Sequence, residues 1–302
     1  MEFPFCWVTM SRREPGLEEG FGSGLPPPNS ITSQGVCDFK KSPMSLSKSP
    51  DRIRRMFAEI APRYDLLNHL LSLNLDRSWR RRAARALRLG RQPKVLDICT
   101  GTGDLALEVW RRVGPLGGRV IGADFTREMV QRGEAKRRVR KAEGVSLLIA
   151  DASALPFASR SFDAVTVAFG LRNVCELDRA LEEIRRVLKP GGLAAVLEFS
   201  PAGRGWARRS FEAYFQRWLP RIGRWVSGTA AGGEAYAYLP RSVSEFPDAE
   251  GFSRVLENAG FTAVSAQRMT LGVAVLHLAQ RPLDACAEQD LATAPAGSRG
   301  SA

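Results

Sequence analysis

The sequence is poor in the residues that build metal and disulfide frameworks. It has only two histidines, His69 and His277, and five cysteines, at positions 6, 37, 99, 175 and 286. The cysteine number is odd and no C-x-x-C occurs, which argues against a disulfide scaffold and against a zinc site. Two isolated histidines cannot cluster around an ion, so no metal is expected. The pattern fits a reducing, cytoplasmic setting. No apolar run reaches the roughly 18 residues of a membrane-spanning helix. Internal repeats are absent. The first ten residues lack the basic start and sustained apolar stretch of a secretory signal.

What is present is an ordinary globular composition with an uneven charge. Hydrophobic residues make up 44% of the 302, enough for a sizeable core. The net charge is +12, yet residues 1–50 sum to zero and residues 283–302 to −2, so the stretch 51–282 carries +14. A basic folded region suits an anionic partner such as a membrane surface or a nucleic acid, or serves solubility. Residues 1–50 contain Pro26-Pro27-Pro28 and no sustained period; they read as a disordered extension, or as sequence upstream of a true start at Met44. Residues 283–302 read as a disordered tail.

Between these ends, strand and helix patterns alternate. Ile53, Met56, Phe57 and Ile60 recur at helical spacing, as do Leu67, Leu70 and Leu71. Trp79, Ala83, Ala86 and Leu87 line one face of a short helix, opposite an arginine-rich face with Arg77, Arg80, Arg81, Arg82, Arg85 and Arg88. Apolar strands are expected at Val95–Ile98, Val120–Ala123, Val145–Ala150, Ala164–Ala168 and Ala194–Phe199. Helices are expected at Leu105–Val113, Arg127–Lys141 and Leu177–Leu188, the last stopped by Lys189-Pro190-Gly191-Gly192. A helix near Ala249–Ala259 and strands near Phe261–Arg268 and Gly272–Gln280 would close the sheet edge. Apolar strands separated by helices imply an α/β domain over 51–282, its sheet mostly parallel with helices on both faces.

The sharpest local signal is Asp97-Ile98-Cys99-Thr100-Gly101-Thr102-Gly103-Asp104-Leu105, a strand running through a glycine turn into a helix. Gly101 and Gly103 let backbone approach a ligand, and Asp124, ending the next strand, can accept from both hydroxyls of a ribose. Gly101-x-Gly103-x-x-Ala106 formally matches a dinucleotide fingerprint. Asp97 favours a different ligand: a carboxylate there sits badly beside a pyrophosphate but suits the ammonium group of a methionine moiety. S-adenosylmethionine is therefore preferred over a nicotinamide dinucleotide. Asp151 and Ala152, after the third strand, can meet an adenine edge. Arg172 and Asn173, in Phe169-Gly170-Leu171-Arg172-Asn173-Val174, lie where such sheets bind ligands, outside the carboxyl ends of the strands.

At this point the chain resembles the bacterial ubiquinone/menaquinone biosynthesis C-methyltransferases, and among them the demethylmenaquinone methyltransferases. The resemblance spans about residues 51–281. It rests on Phe57-x-x-Ile60-Ala61-x-x-Tyr64-Asp65-x-x-Asn68, Trp79, the glycine turn, Ala154-Leu155-Pro156-Phe157, Phe169-Gly170-Leu171-Arg172-Asn173-Val174, Lys189-Pro190-Gly191-Gly192 and Leu197-Glu198-Phe199-Ser200. It implies a Rossmann-like class I methyltransferase fold with a seven-stranded sheet, S-adenosyl-L-methionine as co-substrate, and a prenylated quinol as substrate. Cofactor contacts carry over to Thr102, Asp124, Asp151 and Ala152, and a further one, often serine in the family, to Ala168. Methyl transfer to a ring carbon needs an electron-rich ring, for which Arg172 would stabilise the developing phenolate and Asn173 orient it; proton removal would fall to water or to a carboxylate, and the resemblance implies Asp65, beside Tyr64, as that carboxylate. A substrate held in the bilayer calls for a peripheral membrane contact, for which the arginine-rich helix and the Trp206–Trp225 segment are candidates; the latter also reads as a lid. With no RNP or KH motif, no nucleic acid is expected. The sequence leaves the oligomeric state open, and likewise the ring, naphthoquinol or benzoquinol.

A chain beginning at Met44 should keep both melting temperature and methyl-transfer turnover. A large drop in either would mean that the first 43 residues pack on the domain or gate its site.

Overall fold

A computed structural model describes residues 49–201 and 230–284. The extension, the tail beyond residue 284 and the Trp206–Trp225 segment lie outside the described residues. Helix α1 (Pro50–Ile60) opens with a serine cap: the Ser49 side chain accepts from the Arg52 N–H, and Pro50 needs no partner for the donor it lacks. A 3-10 turn (Ala61–Arg63) leads into α2 (Tyr64–Leu71), and α3 (Leu75–Ala86) follows a turn through Leu73 and Asn74.

The sheet then begins. β1 (Lys94–Ile98), α4 (Asp104–Val113), β2 (Arg119–Asp124), α5 (Arg127–Val139) and β3 (Val145–Ile149) form one half. β4 (Phe162–Ala168), α6 (Leu177–Val187) and β5 (Leu188–Phe199) form the other. After residue 201 the described chain resumes with α7 (Ala230–Glu245), α8 (Ala249–Asn258), β6 (Thr262–Met269) and β7 (Ala274–Gln280). The seven strands run in the order β3-β2-β1-β4-β5-β7-β6. All pair in parallel except β7, which lies antiparallel between β5 and β6. The order reverses between β1 and β4, and in sheets of this kind ligands bind at that switch point.

Apolar alternation on the central strands feeds two cores. Leu96, Ile98, Val165 and Val167 face α6 and α8, packing with Leu181, Ile184, Phe252 and Leu256. Val95, Ala164 and Leu276 face the other way, against Trp79, Ala83, Val109 and Val113 of α3 and α4. Burial on both faces explains why the strands read as continuous apolar runs. The expected helices and strands are all present, with ends shifted by a few residues. β5 takes in Lys189-Pro190-Gly191-Gly192, with a register shift against β4 at that point.

One surface expectation needs correction. Arg80, grouped with the outward arginines of α3, is buried, paired with Asp76, and stacks 5.7 Å from the centre of the Phe169 ring. Arg77, Arg81, Arg82, Arg85 and Arg88 are exposed. Among the described residues no helix is long and apolar enough to cross a membrane.

Candidate active site

The glycine turn leaves β1 through Cys99 (φ 48), Gly101 (φ 56) and Gly103 (φ 80), all in the left-handed region. That folding brings the start of α4 directly over the strand end. Asp97 is buried beneath it, 1% exposed. Thr100 of the turn donates to one of its oxygens at 2.5 Å, and Thr166 of β4 to the other at 2.6 Å. Burial pushes the Asp97 carboxyl up to about 6, against the opposing pull of both hydroxyls.

A cavity of about 330 Å3 opens at the carboxyl ends of the strands. Gly101, Asp124, Asp151 and Ala152 border it, as do Tyr64 and Asn173. Among the other expected site residues, Asp97, Thr102, Gly103, Ala168, Arg172 and Asp65 do not reach its wall. Asp124 holds the centre. One carboxylate oxygen accepts from the Gly101 N–H and the other from the Thr126 N–H, each at 2.9 Å. Each oxygen keeps a second lone pair, so a diol can still donate to both. Burial raises the Asp124 pKa against those two bonds. Asp151 accepts the backbone N–H and the hydroxyl of Ser153 on one oxygen, leaving the other without a bond among the described residues.

Thr102 turns away from the cavity. Its hydroxyl donates to Asp65 and accepts from Lys136 at 2.9 Å. Lys136 also bridges Asp65 and Asp104, each at 2.7 Å. His69 lies 2.8 Å from Asp76, which also binds Arg80. These charges clamp α2 and α3 onto the outer side of the glycine turn. Lys136, Asp104, His69 and Asp76 are structural partners that sequence reasoning missed. They sit on four separate elements and share no local motif.

Past β4, Phe169 is again left-handed (φ 59), a costly state for an aromatic residue and one that clusters at functional sites. A Cβ on Gly170 would stand 2.3 Å from the Cβ of Cys99, so only glycine lets the ends of β1 and β4 meet here. Arg172 lies behind the wall. Its backbone N–H and guanidinium both donate to Glu198, at 3.2 and 3.0 Å, and the guanidinium also donates to the Phe169 carbonyl. Glu198 is fully buried; burial raises its pKa while Arg172 draws it down. Arg172 Nε and Asn173 Oδ1 have no partner among the described residues.

Helix α1 roofs the cavity with Pro50, Ile53 and Phe57, while Phe125, Thr126 and Met129 line the adjoining side. The periodicity of α1 was legible in sequence, but not that its apolar face covers a cavity. Burial raises the pKa of Tyr64, although Arg172 opposes it, so its phenol stays protonated at neutral pH.

The strand order, the glycine turn and the acidic residue ending β2 define a Rossmann-like class I methyltransferase fold. A solved S-adenosylmethionine-dependent methyltransferase of Thermotoga maritima shares it, with a TM-score of 0.52 at 19% identity over 76% of this chain and 99% of that one. The cyclase SpnF shares it too, with a TM-score of 0.58 at 18% identity over 78% and 98%. Since a cyclase uses the same scaffold, this likeness speaks to fold alone. Residues 45–281 match the ubiE/COQ5 methyltransferase family, and the chain belongs to that family. It is 48% identical to the demethylmenaquinone methyltransferase of Thermus thermophilus over 75% of this chain and all of that one. It is 42% identical to the ubiquinone/menaquinone biosynthesis C-methyltransferase UbiE of Geobacter sulfurreducens over 82% of this chain and 94% of that one. Family membership sets aside the nicotinamide-dependent alternative.

The Asp97 environment has a measurable signature. An aspartate in the unfolded chain titrates near ~3.9. With a folded value of about 6, ionising Asp97 costs stability; the loss sets in as pH rises through the unfolded value and is complete above the folded one. Asp97→Asn should therefore gain on the wild type by up to roughly 3 kcal/mol between about pH 4 and pH 7. Urea unfolding at both pH values checks this; a pH-independent difference would mean that Asp97 titrates like an ordinary aspartate.

Proposed function

We propose that the protein transfers the methyl group of S-adenosylmethionine to a ring carbon of a prenylated quinol, converting demethylmenaquinol to menaquinol. The reading is carried by one observation. One cavity is bordered by Asp124, Asp151 and Ala152 together with Tyr64, Gly170 and Asn173, in a chain 48% identical across the whole of a demethylmenaquinone methyltransferase. Asp124 takes the ribose hydroxyls, the free oxygen of Asp151 accepts from the adenine amino group, and Ala152 packs at the base edge. The bound co-substrate supplies an electrophilic methyl on a sulfonium.

The ring carbon attacks that methyl. The new C–C bond forms as the S–CH3 bond breaks, leaving S-adenosylhomocysteine, and the ring then loses the proton on the attacked carbon. Ionising the neighbouring hydroxyl, whose proton passes to water, makes the carbon nucleophilic. Arg172 stabilises that developing phenolate from behind the wall, and Asn173 orients it. Tyr64, kept protonated, donates to an acceptor oxygen. Asp65 is tied to Lys136 and Thr102 off the cavity, so its part is to seat α2, and the ring proton leaves to water. Assay of the purified protein with labelled S-adenosylmethionine against demethylmenaquinol and its benzoquinol counterpart tests the reading. Label in the naphthoquinol is expected; label in neither ring overturns it.

Three variants probe the roles. Asp124→Ala removes charge-assisted bonds worth about 1.5–3 kcal/mol and should weaken S-adenosylhomocysteine binding roughly tenfold or more. Because hydroxyls donate best to the ionised carboxylate, wild-type affinity should hold at neutral pH. It should fall as pH drops through the raised Asp124 pKa, earlier than an ordinary aspartate near ~3.9 would give. Unchanged affinity in the titration of the folded mutant would remove Asp124 from the site. Arg172→Ala strands the buried Glu198 and should cost about 3–5 kcal/mol of stability. The double change Arg172→Gln with Glu198→Gln avoids the lone charge. It should fold, bind S-adenosylhomocysteine and lose about 100–1000-fold in turnover. Near-normal turnover would exclude Arg172 from the mechanism.

A further inference from the structure

Five of the nine exposed large hydrophobic side chains among the described residues are leucines gathered around α2 and α3. Leu66 and Leu70 lie one turn apart on α2. Leu73 and Leu75 occupy the turn after it and the start of α3. The fifth, Leu271, belongs to the β6–β7 turn (Thr270–Gly272), where the Thr270 hydroxyl accepts from the Trp79 ring N–H of α3 at 2.9 Å. That turn lies at the carboxyl edge of the sheet, since Met269 and Phe199 both pair with Ala274. The cavity opens on the same edge, and α2 supplies Tyr64 to its wall.

Two of these leucines are hard to explain by folding. Leu73 (φ 51) precedes Asn74 (φ 61), and Leu271 (φ 57) follows Thr270 (φ 48), so each belongs to a left-handed pair. A bulky residue resists that conformation, and glycine or asparagine fits it better. Burial does not compensate: Leu73 is 73% exposed and Leu271 68%. Strained backbone that holds an apolar side chain out in water points to a use outside the domain. Beyond Leu75, the exposed Arg77, Arg81 and Arg85 run down α3 at intervals of four residues, one stripe of the helix.

We propose that the α2–α3 turn and the β6–β7 turn form a leucine-tipped docking surface for an anionic lipid bilayer, with the α3 arginine stripe on the phosphate headgroups. Apolar tips beside basic side chains match the headgroup–acyl boundary. A second copy of the chain is the weaker occupant. A stable protein interface uses about 800 Å2 per partner, well beyond five partly exposed leucines. The inference rests on the reading that the acceptor carries a prenyl tail. Docking by this edge brings the open side of the cavity to the bilayer that holds that tail.

The test uses the full chain, vesicles of phosphatidylcholine with about one part in four of phosphatidylglycerol, and vesicles of phosphatidylcholine alone. Wild-type partitioning should favour the anionic vesicles and weaken as salt rises. Leu73→Gly combined with Leu271→Gly should lower partitioning at least about tenfold, while the melting temperature stays level or rises. Leu116→Ser, an exposed leucine at the opposite sheet edge, should change nothing. The proposal is overturned if the double variant partitions like wild type, or if Leu116→Ser loses as much. It is also overturned by a concentration-dependent wild-type dimer that the double variant dissolves. Methyl transfer to a demethylnaphthoquinol without a tail should survive in the double variant. A wild-type protein that docks as described but methylates no naphthoquinol would sink the functional reading and leave the docking surface standing.

Discussion

A charge at the centre of the sheet carries the site. Asp97 receives one hydroxyl from the glycine turn and one from the neighbouring strand, so a single carboxylate joins Thr100 of the turn to Thr166 of β4. The turn conformation and the β1–β4 register are thereby linked. From that joint the rest follows in sequence. The turn presents the Gly101 N–H to Asp124, Asp124 fixes the Thr126 N–H at the start of α5, and Gly170 closes against Cys99 where the two strands end. Burying an acid this deeply opposes its ionisation, and the protein tolerates that cost beneath the left-handed glycine turn.

The outer shell is organised by two ionic groups of different character, one buried and one half-buried. The Arg172–Glu198 pair is compact and joins the turn after β4 to the end of β5, next to the cavity but not on its wall. The Lys136 group is distributed over α2, α4 and α5, and the adjoining Asp76–Arg80 pair brings in α3. Both immobilise elements bordering the cavity without filling it, which keeps the interior free for a ligand.

Much of this was legible in the residues themselves. Val95–Ile98 and Ala164–Ala168 read as buried parallel strands because both of their faces are covered, and the glycine turn announced itself because only a left-handed, close-packed bend needs that spacing. Asp124, Asp151 and Ala152 stood out by their position at strand ends, and all three border the cavity. What could not be read was direction. Helical spacing put Arg80 among the solvent-facing arginines, yet the tertiary contact with Asp76 and Phe169 pulls it inward. Thr102 and Asp65 stand near the right backbone but point to the far side, toward Lys136, a residue 34 positions from Thr102 whose approach depends on how α5 crosses the turn. Pairings of that kind are set by the packing of whole elements, and no local pattern encodes them.

The strand order also bears on how the molecule is assembled during synthesis. β7 is the last of the described strands to be made, yet it sits inside the sheet, hydrogen-bonded to β5 on one side and β6 on the other. Until it arrives, β5 exposes an open edge and β6 has no neighbour at all. The β5 edge, on the apolar strand that carries Glu198, stays unpaired from the completion of β5 until β7 is made, and the β6 edge joins it shortly before β7, so this late interval invites pairing with other chains. The nascent protein is therefore most prone to self-association in the interval just before its final strand emerges, and substitutions that weaken β7 should lower the yield of folded protein more than its equilibrium stability.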